Sequence, residues 1–525
     1  MTADLTARRA IVIDTPPTSN GDLHVGHLAG PFIAADVHAR YLRATGRDVV
    51  FSSGTDDSQT YVLASARRKG IPPEQLAGKS WHAIRQTLAD MGISLDGFAP
   101  YDDRYRASVL DFVNTLYAKG KFERRTVRLP YDVRTGEFLV EGLVCGYCPV
   151  CLVRSRGGLC ESCGHPNNFD ELIDPTSTMD PDDPVTHRDA EILVLPMERY
   201  RERLTEFFAE RQSRMRPHTV QLFREVLAKP LPDFPITYPV GWGIPAPFPE
   251  TEGQVINAWV EGMPAVMYTS AFAAEQLGAQ NDSDDELWLA DQNAEVIYFI
   301  GFDNVYFWGL THVALMMAHD GRYVLPDTII SNEFYELENE KFSTSLGHVL
   351  HTRDLLAELP RDLIRFYLAL SAPEHQQTNF GRDACTKVAG ERLAEPWNRL
   401  ASLLGKAVAE TGVDGLALPV SPAARARASA ILDRFRTCYD LNSYSLTRAA
   451  ALIVDQLDRL RRTAPGAAVG DLFCEVQALI TGASPILIDL AAAATRAGGF
   501  ECRFDAAPPT TVTPYALPCF DKAVR

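Results

Sequence analysis

Ala10-Ile11-Val12-Ile13, followed by Pro16-Pro17-Thr18-Ser19-Asn20-Gly21-Asp22-Leu23-His24-Val25-Gly26-His27, is the stretch that decides the fold. The four apolar residues predict a buried parallel strand. Leu28 to Thr45 carries apolar residues at Leu28, Phe32, Ala35 and Ala39, which predicts a helix. A strand, a Gly-containing turn and a helix form the setting in which a helix N-terminus receives a phosphate. Each imidazole of the turn can donate to phosphate oxygens, and Gly26 lets a nucleotide approach the backbone closely. His-x-x-His by itself also fits a surface pair or a zinc site; the whole string favours phosphate.

Working outward, Asp48 to Gly54 reads as a second strand ending in a Gly turn, with Thr55-Asp56-Asp57-Ser58-Gln59 at its carboxyl end, where doubly wound sheets place ligands. Glu74 to Gly92 and Tyr105 to Lys119 read as covering helices. Arg124 to Val140 alternates like hairpin strands around Thr135-Gly136. Five of the ten cysteines then fall between Cys145 and Cys163, a clustering that argues for metal rather than disulfides. Cys148-x-x-Cys151 and Cys160-x-x-Cys163 can place four thiolates around a structural zinc, and Cys145 is an alternative ligand. Residues 186 to 229 contain one or two amphipathic helices, and Leu231 to Pro249 reads as an extended connection. Val296 to Gly301 is a buried-strand run, and Phe302 to Trp308 begins the next helix. Leu359 to Leu370 is helical, and Arg382 to about Gly498 predicts a bundle of four or five helices. The fold class is therefore α/β: a Rossmann-like doubly wound parallel sheet with a zinc-knuckle insertion and a C-terminal α-helical bundle.

At 525 residues several domains are expected. The expected divisions, named by the family resemblance given below, are 1–117 and 253–328 as the two halves of the catalytic domain, 118–252 as the connective insertion, 329–385 as a stem-contact-like segment, 386–500 as the bundle and 501–525 as a Pro-rich tail. A net charge of −17 gives no overall basic footprint for nucleic acid, although it leaves room for a local basic groove. The polar N-terminus and the absence of a long apolar run predict a cytoplasmic protein without signal peptide or membrane span.

Asn20-Gly21-x-Leu23-His24-Val25-Gly26-His27 resembles the HIGH signature of class I aminoacyl-tRNA synthetases, of the methionyl-like sub-type. Glu340-Lys341-Phe342-Ser343-Thr344-Ser345 resembles their second signature, Lys-Met-Ser-Lys-Ser, with Thr344 in place of the second lysine. Loss of one such charge-assisted contact costs on the order of 2–4 kcal/mol of transition-state stabilisation. The resemblance implies ATP-dependent activation of an amino acid, with magnesium accompanying ATP, and transfer to tRNA. His24, His27 and Lys341 are implied as catalytic, and Asn20, Gly26, Gly301, Asp303, Ser343 and Ser345 as ATP-binding. Thr18, Asp57, Trp259, Asn304 and Trp308 are implied as amino-acid-binding, Asp57 holding the α-ammonium. Trp259 falls on a segment, Gln254 to Tyr268, that resembles the family's strand and loop; it also suits a simple core position. Asp303 suits ribose hydroxyls or a helix N-cap. Methionyl enzymes carry tyrosine, isoleucine and histidine at the places of Thr18, Asn304 and Trp308, so this pocket differs. In the bundle, the family's usual anticodon readers are replaced by Arg399, Leu403 and Gly466. The alternative reading is therefore a paralogue that activates another amino acid for a non-tRNA acceptor, or a weakly active regulatory relative.

Overall fold

The computed structural model describes residues 8–338, 340, 341 and 349–520. The chain divides into two compact units, one built from the residues up to Asp22, Val50–Gln86 and Leu95–Asn332, the other from Leu23–Val49, Thr87–Ser94 and the residues from Glu333 onward.

The first unit is organised on five strands: β1 (Ala10–Asp14), β2 (Val49–Ser53), β3 (Gly97–Phe98), β4 (Glu295–Gly301) and β5 (Thr328–Asn332), in the spatial order β5-β4-β1-β2-β3. β1 runs parallel to β4 from Ala10↔Glu295 to Asp14↔Phe299, and β4 runs parallel to β5. Every residue of β1 and β2 is buried, so these strands show no alternation, as expected where both faces of a parallel sheet are covered. β1 stands between β4 and β2, so the strand order reverses there. The carboxyl ends of β1, β2 and β4 are the place such sheets offer to ligands.

Within the insertion, Glu123–Asp132 and Glu137–Phe138 form the expected hairpin. The 186–229 segment contains the two expected helices, preceded by a strand that was not expected. Val185–Leu195 is a strand that pairs antiparallel with Glu123–Asp132 over ten residues, and the two helices, Arg201–Arg211 and Pro217–Leu227, follow it. Its β-branched residues and half-buried alternation favour the pleated surface. The helix α2 (Ala258–Gln276) begins immediately after the two-residue strand Val255–Ile256. Trp259 thus lies on its first turn, where the resemblance implied strand and loop.

In the second unit the helix predicted from Leu28 begins as a regular α-helix only at α1 (Ile33–Ala44). The preceding Leu28–Phe32 turn is wide and contains Gly30 at φ −84°, ψ −117°. Pro31 has no N–H to donate and excludes a regular first turn. Five helices form the bundle: α3 (Glu395–Thr411), α4 (Pro422–Tyr439), α5 (Leu446–Thr463), α6 (Val469–Ala483) and α7 (Ile488–Gly498). Ser421 and Ser445 cap α4 and α5 by accepting from Ala424 N and Arg448 N. The tail packs on this bundle: Thr511–Val512 pairs with Leu418–Pro419, and Trp397 Nε1 donates to Pro518 O at 2.6 Å.

A buried ion pair braces this unit. Arg365, fully buried, donates to Asp36 Oδ2 at 2.5 Å and to the carbonyls of Met91, Pro485 and Ile486 at 3.1, 2.8 and 2.9 Å. Asp36 also accepts from Arg40 and from Ser94 N and Oγ. Among the described residues no helix is long and apolar enough to cross a membrane.

Candidate active site and metal centre

The histidine turn belongs to the second unit. His24 precedes a single helical turn, Val25–His27, and its N–H donates to His27 Nδ1 at 3.3 Å. The rings stack with centroids 3.8 Å apart. Backbone bridges tie the turn to 350–351: Val25 N donates to Leu350 O at 3.2 Å, and His24 pairs with His351. Burial, and then the neighbouring His27 and His351, hold the His24 imidazole well below its ordinary pKa. A neutral imidazole keeps one N–H with which to donate to a phosphate oxygen.

The sheet-end residues belong to the first unit. The chain leaving β1 reaches Thr18, which bridges to Asp56, while Asp56 N donates to Pro17 O at 3.0 Å. Lys69 Nζ donates to Asn20 O at 3.3 Å. Asp57 follows β2 and is buried, and Trp242 Nε1 donates to its carbonyl at 2.9 Å. Its Oδ1 is buried and accepts no hydrogen bond among the described residues. Burial raises its pKa, opposed by the hydroxyls of Thr55 and Ser19 and by the Arg106 charge. A buried carboxylate oxygen of this kind is an acceptor suited to an ammonium.

Glu261, one turn into α2, escaped the sequence reading. It is fully buried and accepts from Tyr105 Oη at 2.8 Å. Burial pushes its carboxyl up to about 7, against the hydroxyls of Ser58 and Tyr105, with Asp57 adding to the rise. Burial, and then Glu261, also hold Asp56 well above the ordinary carboxylate range. The one available signal was an acid in the otherwise apolar stretch from Ala258 to Met267.

The aromatic residues separate into two kinds. Trp259 is half-buried and stacks on Phe307 with centroids 3.8 Å apart and planes 9° apart. Its carbonyl lies 2.8 Å from His312 Nε2. Trp308 is buried in the core, edge-on to Tyr298 at 5.1 Å and 4.8 Å from His312. Past β4, Asn304 Nδ2 donates to Asp303 Oδ1 at 3.0 Å. Gly301, not Asp303, holds the N-cap position of the short 3₁₀ turn Phe302–Asn304. A Cβ on Gly301 would lie 2.4 Å from Asp303 Oδ1, so the close return of that carboxylate requires glycine.

The knuckles also lie in the first unit. The Sγ atoms of Cys148, Cys151, Cys160 and Cys163 all fall within 4.8 Å of one another, with Cys148–Cys163 at 3.7 Å and Cys151–Cys160 at 3.6 Å. Zn–S bonds of about 2.3 Å in a tetrahedron require sulfurs about 3.8 Å apart, so the set fits zinc with no position left for a substrate. Cys145 stands outside it, 3.3 Å from Thr176 Oγ1 and 3.1 Å from an Arg154 nitrogen. The two turns repeat one geometry, in which the fourth residue after the first cysteine is left-handed. Gly164 adopts it at φ 74°, and Leu152 adopts it at φ 59°. Lys341 pairs with Glu336 through its backbone, and Ser343, Thr344 and Ser345 lie outside the described residues.

The sheet order and the carboxyl strand ends define a doubly wound α/β protein. The family model described as tRNA synthetases class I (M) matches residues 11–403, and the chain belongs to that family. Methionine–tRNA ligase of Flavobacterium johnsoniae is 31% identical over 378 residues, covering 71% of this chain and 52% of that protein. The Porphyromonas gingivalis enzyme of the same name is 30% identical over 378 residues, covering 71% and 54%. The chain spans about half the length of the curated relatives it matches. Among solved structures, Mycobacterium tuberculosis methionyl-tRNA synthetase in complex with methionyl-adenylate shares the fold, with a TM-score of 0.75 and 20% identity over 98% of this chain and 99% of that one.

Proposed function

We propose that this chain is a ligase that activates an amino acid with ATP and transfers it to tRNA, as its methionine–tRNA ligase relatives are named for doing. The observation that carries the reading is the family match over residues 11–403, which spans every active-site residue assigned below. In the first step the amino-acid carboxylate attacks the α-phosphorus of ATP, pyrophosphate leaves, and an aminoacyl-adenylate forms. In the second, a terminal ribose hydroxyl of tRNA attacks the carbonyl carbon and AMP leaves. Both steps need positioning and charge stabilisation rather than a side-chain nucleophile.

His24 and His27 donate to phosphate oxygens through their ring N–H groups. Gly26 and Asn20 give the nucleotide its backbone approach, and Lys341, Ser343 and Ser345 meet the other phosphate oxygens. Asp303, its orientation fixed by Asn304, accepts from the ribose against Gly301. Asp57 takes the α-ammonium on its buried Oδ1. Trp259, with Phe307 behind it, supplies an apolar wall, and Thr18 and Asn304 complete the pocket. Methionine is the substrate carried over from the relatives' names. Magnesium accompanies ATP and neutralises its phosphates. Zinc held by Cys148, Cys151, Cys160 and Cys163 braces the insertion without entering the reaction. The protein works in the cytoplasm.

ATP–pyrophosphate exchange with a panel of amino acids, followed by tRNA charging, tests this reading. Exchange dependent on methionine and lost in His27→Ala is expected. No exchange with any amino acid would remove the enzyme reading, and exchange without charging would move the acceptor away from tRNA.

A further inference from the structure

Glu261 lies near the start of α2, two residues after Trp259. Positions two apart on a helix do not face each other. Trp259 turns to Phe307, beyond β4, and Glu261 turns to Tyr105 and to the segment that follows β2. The start of α2 therefore offers an aromatic ring on one flank and a carboxyl on the other.

Only one oxygen of that carboxyl is engaged. Oε1 accepts from Tyr105 Oη at 2.8 Å, while Oε2 is buried without a hydrogen bond. Asp57 Oδ1 is in the same condition, with Asp57 6% and Glu261 0% exposed. Ser58, the residue after Asp57, lends its hydroxyl to Glu261, so the two acids are neighbours. The same Oγ lies 2.9 Å from Tyr101 Oη. A buried oxygen left unbonded costs free energy that an apolar residue of the same shape does not. Packing alone therefore gives no reason for an acid at this position.

The groups facing Glu261 are Tyr105 and Arg106 from the helix Asp103–Ala118, Tyr101 just before it, and Asp56 and Asp57 after β2. Glu141, from the insertion, acts on Asp56. His312, beside Gly262, is taken up by the Trp259 carbonyl. Arg106 is the cation of this set, and it is engaged at the surface. It donates to Asp103 at 2.8 Å, lies 4.8 Å from the centre of the Tyr101 ring and is exposed. Two unbonded carboxylate oxygens, brought by separate elements, suit one ligand group that carries positive charge and several N–H donors. An α-ammonium is such a group.

We propose that Glu261 and Asp57 together hold the α-ammonium of the amino acid, Glu261 through its unbonded Oε2, and that a proton leaves the site as the amino acid binds. The inference rests on the amino-acid activation proposed above and adds a second acid to its ammonium site. Burial pushes the Glu261 carboxyl up to about 7, so the free protein holds a proton there. The incoming ammonium keeps its three protons and favours the carboxylate, and the acid's proton passes to the buffer. The pairing is made with bound substrate and transition state alike, so it lowers KM and leaves kcat.

Binding of methionine to the full chain is measured by titration calorimetry in phosphate and in Tris, whose heats of ionisation differ. Any other amino acid that supports exchange is measured in the same way. Release of about half a proton per amino acid at pH 7, and much less at pH 8, is expected. Glu261→Gln abolishes the release, raises KM for the amino acid about tenfold and leaves kcat and the KM for ATP within about twofold. Glu261→Asp restores part of the release. The desamino analogue of methionine, which lacks the ammonium, inhibits parent and Glu261→Gln with affinities within about twofold of each other. The melting temperature of each variant is read alongside, so that a folding defect is not taken for a lost contact.

Proton release unchanged in Glu261→Gln overturns the proposal. So does an equal loss of affinity for methionine and its desamino analogue, which would make Glu261 a support of the pocket's shape. Glu261-dependent release without pyrophosphate exchange counts against the activation chemistry alone. Exchange without Glu261-dependent release counts against this inference alone, and failure of every amino acid to bind removes both.

Discussion

Asp36 in the second unit and Glu261 in the first are both carboxylates without exposed surface, and they behave in opposite ways. Asp36 accepts from Arg365, Arg40 and Ser94, and these partners hold it below the ordinary carboxylate range despite the cost of burial. Glu261 has the Tyr105 and Ser58 hydroxyls for support and Asp56 and Asp57 for neighbours, and burial carries it up to about 7. Burial is common to both, so the cation decides. With a guanidinium at 2.5 Å a buried acid becomes a brace; without one it keeps its proton into the neutral range, next to the carboxylate assigned to the substrate's ammonium.

The comparison is most severely tested at Arg365. Arg365→Met leaves Asp36 buried without its main cation, and a loss of about 3–5 kcal/mol of stability is expected from urea unfolding. An undisturbed midpoint would show that Asp36 is not the brace described. Asp57→Asn comes next and acts on the other side. It is expected to lower kcat/KM for exchange by at least about thirtyfold while leaving the melting temperature near its starting value, because a charge-assisted contact to substrate is lost and no folded-state partner is orphaned. A large fall in stability with normal kinetics would exchange the two roles.

The smallest effect concerns pH. The Asp36 carboxyl is depressed in the folded state, so its stabilisation is present above the unfolded value and is lost as pH falls through the folded one. Glu261 is raised, so the native state holds its proton after the unfolded chain has released it, and stability falls as pH rises toward about 7. Glu261→Gln removes that slope and is expected to unfold about 1–3 kcal/mol harder than the parent at pH 8, with the two closer at pH 5. Parallel pH profiles for parent and variant would place the ionisation elsewhere.

Much of the fold was legible because its signals are local. The apolar runs of β1 and β4 need no partner to be recognised, and the spacing of Cys148, Cys151, Cys160 and Cys163 states its own geometry. The strand Val185–Leu195 was missed because a half-buried strand of charged residues matters only through pairing with Glu123–Asp132. Trp259 was placed on a strand and loop by the family resemblance of Gln254 to Tyr268, whereas here the strand is two residues long and α2 starts right after the Asn257 cap. Glu261 was overlooked because nothing near it in sequence tells which atoms cover it.

The sequence by itself determined the kind of chemistry: two imidazoles after a strand, acids at the end of the next, four thiols at knuckle spacing, and the order in which they occur. Tertiary structure alone decided which cysteine stands apart, which tryptophan is core, and which buried acids are ionised. Those outcomes depend on burial and on partners brought from far along the chain, as Arg365 is brought to Asp36 across 329 residues, and no local pattern encodes the distance between them.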